Sequence, residues 1–81
     1  MKDIFILNSI FVKEVIKISN KIAHGEITAK ERELKNQFLN KAIKEWEKIM
    51  DLFTEGYKAG SEELDKRIDK FEQLLKNEGL L

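Results

Sequence analysis

TAKERELKNQFLNKAIKEWEKIMDLFTEGY, residues 28–57, runs from a threonine to a glycine-tyrosine pair with no proline and no glycine before Gly56. Its apolar side chains recur at helical steps. Leu34, Phe38, Ala42, Ile49 and Phe53 form one row, and Leu39, Ile43, Trp46, Met50 and Tyr57 form its neighbour. Residues three, four or seven apart share a helix face, so each row is a stripe along one helix. Thr28 is the expected N-cap, and Glu31, three residues on, completes a capping box. A helix from 29 to about 57 would be roughly 43 Å long at ~1.5 Å per residue. Two adjacent apolar stripes imply two helical neighbours.

Both neighbours are legible on either side of that stretch. Upstream, Ile4, Leu7, Phe11, Val15, Ile18 and Ile22 repeat at three- and four-residue steps, predicting a helix over about 3–24, beginning at Lys2 or Asp3. His24 suits the negative end of its dipole, and Gly25 supplies the left-handed position beyond the end. A second set, Ile6, Ile10, Val12, Ile16 and Ala23, widens the apolar surface beyond an ordinary stripe. Downstream, Gly56 and Gly60 bracket a turn and Ser61 caps a third helix over about 62–78. Glu62 and Glu63 sit in its first turn, where carboxylates meet the positive dipole end. Leu64, Ile68, Phe71 and Leu75 make a heptad-like seam. Glu62–Lys66 and Glu72–Lys76 are i,i+4 pairs in the favourable order. Gly79 ends the helix, and Leu80 is expected to fold back onto it. Short turns make consecutive helices antiparallel neighbours. The expected fold is all-α: one domain over 1–81, a three-helix antiparallel bundle with a long central helix, assembling through helix one.

Composition narrows the function classes. The 81 residues are near the size at which one core is only marginally sufficient, so a partner or self-association is expected. With no cysteine, neither a disulfide framework nor a thiolate metal site is possible. Fifteen basic and fifteen acidic residues cancel, so no global field draws the chain to nucleic acid or anionic lipid. Locally, residues 1–25 carry four lysines against two acids, and residues 59–81 carry four basic residues against six acids. The apolar run from Ile4 to Val12 is broken by Asn8 and Ser9 and followed at once by Lys13 and Glu14. It is too short for a membrane span and lacks a small-residue cleavage site, which suits a soluble, cytoplasmic protein.

No catalytic set emerges. His24, the single histidine, stands at a helix end and there is no cysteine, so nothing in the spacing proposes a nucleophile beside a base beside an orienting group. Asp65, Asp69 and Glu72 share one face of helix three. Hard-cation sites draw oxygens from a folded loop or converging elements, whereas Lys66 and Lys70 interleave these acids as on a solvated surface. Lys13, Lys17 and Lys21 line helix one, and Lys41, Lys44 and Lys48 line helix two. Stacking aromatics are missing from those faces, and Glu45 and Glu47 interrupt the second set, so nucleic acid is not the expected partner.

The stretch Asn20-Lys21-Ile22-Ala23-His24-Gly25 resembles the Arg-Asn-x-x-x-His motif of the helical HEPN-domain ribonucleases, in which the arginine and histidine act together on the RNA phosphodiester. Asn20 and His24 match, while Ser19 stands where the arginine would be. That resemblance implies a weak nucleic-acid-binding or HEPN-like helical protein, a third reading behind two others.

The leading expectation is a non-catalytic protein–protein interaction module with no cofactor and no metal. It would bind and modulate, by inhibition, a partner protein through an apolar helical face. Ile6, Ile10, Phe11, Ile16 and Trp46 are the expected interface, with Trp46 its natural hot spot. Small proline-free helical proteins of this kind include phage- or plasmid-encoded inhibitors, immunity proteins and antitoxins, a comparison of architecture and size alone. The alternative is a structural, homo-oligomeric helical subunit, in which the same face meets a second copy.

Overall fold

A computed structural model describes residues 3–58 and 60–81. Three helices follow one another: α1 (Ile4–Ala23), α2 (Ala29–Thr54) and α3 (Glu62–Asn77), with no strand among the described residues. Each begins where a short polar side chain can satisfy free backbone N–H groups. The Asp3 carboxylate accepts from the N–H groups of Phe5 and Ile6, at 2.9 and 3.4 Å. Thr28 Oγ1 accepts from Glu31 N–H at 3.1 Å, and Ser61 Oγ from Leu64 N–H at 3.4 Å. The Glu31 carboxylate turns to the Lys21 ammonium at 3.1 Å instead of closing the reciprocal half of the capping box. With Asp3 as the N-cap, α1 starts at Ile4; the expected start at Lys2 lies outside the described residues.

All three helices stop by one device. In α2 the Gly56 N–H donates to the Phe53 carbonyl and the Tyr57 N–H to the Leu52 carbonyl. These are the paired bonds of a Schellman motif, which needs a left-handed residue after the cap. Gly56 provides it at φ +98°. The helix therefore ends at Thr54, three residues before the Tyr57 read from periodicity, and Tyr57 lies in the wrap that follows. The same bond pair closes α1 around Gly25 and α3 around Gly79, where Leu80 folds back against the core as expected.

Helix α2 packs against α3 and α1, and α3 also meets α1. The α2–α3 pair is the more intimate. Ala42, fully buried, lets the two backbones approach, and Ile49, Leu64, Phe71 and Leu75 close around it. Helix α1 enters through larger side chains, Ile4, Leu7 and Phe11. The Phe11 ring meets those of Phe38 and Phe71 edge to face, with centroids 6.1 and 5.7 Å away. Bulky contacts hold α1 further from both neighbours. At 26 residues α2 outruns the 20 of α1 and the 16 of α3, so Leu34 and Phe53, read from the sequence as parts of a buried stripe, are exposed. Ile43 and Tyr57, from the neighbouring stripe, are also exposed.

Among the described residues one buried position is charged. Glu14 faces the interior of α1 at 6 % exposure, where the periodic reading had placed Val15. An isolated carboxylate there would be costly, and Lys35 of α2 answers it. The Lys35 ammonium lies 3.4 Å from Glu14 and 3.0 Å from Glu78, the C-cap of α3, so one cation ties three helices together. The Glu78 hydrogen bond, with help from both carboxylate charges, raises the Lys35 pKa above its ordinary value despite burial acting the other way.

Candidate protein-interaction face

Helix α1 is apolar on two sides. Its inner seam, Ile4, Leu7, Phe11, Glu14 and Ile18, is buried and alternates three- and four-residue steps. A second seam, Phe5, Ser9, Val12, Ile16, Ser19 and Ala23, runs with four- and three-residue steps on the outer side, and every member is exposed. Phe5 is 79 % exposed, Val12 44 % and Ile16 54 %. Seams with this repeat are what one helix presents to another in a coiled coil. The small side chains of Ser9, Ser19 and Ala23 leave room for a close neighbour, and contiguous exposed apolar surface on a small soluble domain is characteristic of contact sites.

The five residues singled out from the sequence divide between this surface and the interior. Ile16 is on the outer seam, and Ile6, 59 % exposed, lies about 100° around the helix from that seam. Ile10 is half-buried against the core. Phe11 is buried between Phe38 and Phe71, so it holds α1 in place and is not available to a partner. Trp46 is half-buried, its ring centroid 5.8 Å from that of Phe71. The structure thus leaves Ile6 and Ile16 exposed and draws the other three inward. Phe5 and Val12 are the large apolar members that sequence reasoning left out of the interface. Their signal was a four–three alternation one residue out of phase with the core seam.

The other candidates fall at separate places. Asn20 and His24 lie in the last turn and C-cap of α1, both exposed, with the His24 N–H donating to the Asn20 carbonyl at 3.0 Å. Asp65 is half-buried, Asp69 exposed and Glu72 half-buried; Glu72 pairs with Lys76 at 3.2 Å. Among the described residues no group of three His, Cys, Asp or Glu side chains is placed to hold a metal ion. No described helix is long and apolar enough to cross a membrane. The chain matches no family model, no curated protein and no solved structure.

Proposed function

We propose that this chain is a non-catalytic interaction module, a cytoplasmic antiparallel three-helix bundle that binds and inhibits a partner protein through the outer face of α1. The observation that carries this reading is the exposed seam of Phe5, Val12 and Ile16 opposite a complete inner seam on the same helix. Removing apolar surface of this kind from water is the main driving force in most protein–protein association. The antiparallel arrangement is supported by paired side chains. Lys21–Glu31, Glu14–Lys35 and Phe11–Phe38 run in opposite senses along α1 and α2. Lys35–Glu78 and Trp46–Phe71 do the same along α2 and α3. By size and helical architecture alone, this reading groups the chain with phage- or plasmid-encoded inhibitors, immunity proteins and antitoxins. The repeat of the outer seam also favours a second reading, in which the neighbour is α1 of another copy.

The test is light scattering on the purified chain across a concentration series, followed by retention of proteins from source-cell extract, for wild type and for Val12→Asp and Ile16→Asp. Both positions are exposed, so the folded monomer tolerates the change. The expected result is that wild type self-associates or retains a defined protein and that both variants lose it. Unchanged mass and unchanged retention in both variants would remove the α1 face as an interface.

A further inference from the structure

On α2 and α3, away from α1, the molecule carries a second surface of different chemistry. Lys41, Lys44 and Lys48 recur along one side of α2, and Lys70 faces them from α3. They rim a groove of about 380 Å3 whose walls are mostly carbon, made by Leu74 and the lysine stems. The hollow continues along the same two helices past Lys41 and Leu74 to Phe38 and the exposed Leu34. From Leu34 to Lys48 is about 21 Å of helix at ~1.5 Å per residue. No residue of α1 lines either part.

Glu45 is the one acid in the lysine-rimmed part, and it is committed. Its Oε1 lies 3.5 Å from Lys48 Nζ, and its Oε2 is covered from solvent with no hydrogen-bond partner. Among the described residues no ion pair holds Lys41, Lys44 or Lys70. A chain with no net charge has therefore gathered a local excess of cations around an apolar floor. Apolar centre and charged rim are the anatomy of a protein-binding patch. A polyanion such as nucleic acid would leave the floor unused, since the aromatic side chain that borders the hollow, Phe38, is buried against Phe11 and offers no open face to stack with a base.

We propose that the α2–α3 groove docks an acidic amphipathic helix of about four turns, its apolar face on Leu74 and Leu34 and its acidic flanks against Lys41, Lys44 and Lys70. Helix in groove is a common recognition mode, and like charges on the wrong partner give it selectivity. The occupant completes a fourth helix beside α2 and α3, independently of whatever covers α1.

The experiment is fluorescence anisotropy with a labelled synthetic helix carrying leucine on one face and glutamate on both flanks. Controls replace the glutamates by lysine or the leucines by serine. Wild type is expected to bind the leucine–glutamate helix at least tenfold more tightly than either control. The double variant Lys44→Glu/Lys70→Glu, altered only at exposed positions and checked for an unchanged melting temperature, is expected to lose tenfold or more and to gain affinity for the lysine-flanked helix. Ile16→Asp on α1 should leave binding within twofold. Three results would each overturn the proposal: charge reversal without effect, equal binding of the serine control, or loss of binding in Ile16→Asp. Tighter binding of a single-stranded oligonucleotide at the same lysines would overturn it as well.

Discussion

Helices α1 and α3 both lay a heptad-like seam against the rest of the molecule, yet only α3 is finished by it. In α3, Leu64, Ile68, Phe71 and Leu75 are all buried, the opposite side carries the ion pair Glu62–Lys66, and Glu72–Lys76 borders the seam. In α1, Ile4, Leu7, Phe11 and Ile18 are buried in the same manner, while Phe5, Val12 and Ile16 stand in water on the far side. One apolar stripe per helix suits a surface helix of a monomer; a second stripe suits a helix between two neighbours. The intrachain neighbours of α1 account for the first stripe alone. The contrast is what singles out the outer side of α1 as the face we propose for interaction.

The comparison can be broken most directly at two phenylalanines. Phe71→Ala removes a fully buried ring that touches Phe11 and Trp46, and should cost about 3–5 kcal/mol in chemical denaturation. Phe5→Ala, at a residue 79 % exposed, should change stability by no more than ~0.5 kcal/mol. Comparable losses in the two variants would mean that the outer side of α1 is packed after all. Next in size, Lys35→Met strands the Glu14 carboxylate in the interior and should cost about 2 kcal/mol at neutral pH. Adding Glu14→Leu should recover most of that loss, because an apolar pair of similar volume has no charge to satisfy.

A smaller effect follows from the raised pKa of Lys35. A cation whose folded-state pKa lies above its unfolded value stabilises the fold fully below that unfolded value. The stabilisation then fades as pH rises through the folded value. Thermal melts of wild type and Lys35→Met should therefore differ by a constant margin up to about pH 10 and converge at higher pH. A margin that stays constant through pH 11.5 would show that the ammonium adds nothing beyond its aliphatic stem.

Helix existence and most boundaries were open to reading because their causes are local. Asp3, Thr28 and Ser61 are the caps, and Gly25, Gly56 and Gly79 are the stops. Periodicity alone carried α2 to Tyr57, whereas the hydrogen bonds around Gly56 ended it at Thr54. What stayed hidden depends on residues far apart in the chain. Glu14 looks like a surface residue until Lys35, 21 positions later, arrives to balance it. The lysines of α2 look broken by Glu45 and Glu47. In space Lys70 joins them, Glu45 binds Lys48, and Glu47 does not line the groove. Phe11 was both a member of the inner seam and an expected contact residue, and its rings of contact place it inside. The α1 face was legible as excess apolar surface, but which side of the helix the excess occupies needed the positions of α2 and α3.

The three glycine stops also bear on how quickly this architecture is reached. Each helix ends through bonds within its own last turn, so its length is settled before it meets a neighbour. The turns joining α1 to α2 and α2 to α3 are only a few residues long, and closing short loops costs little chain entropy. A chain dominated by such near-neighbour encounters belongs with helical proteins that fold in microseconds to milliseconds. The time during which the bare seam of α1 and the half-made core are exposed together is correspondingly brief.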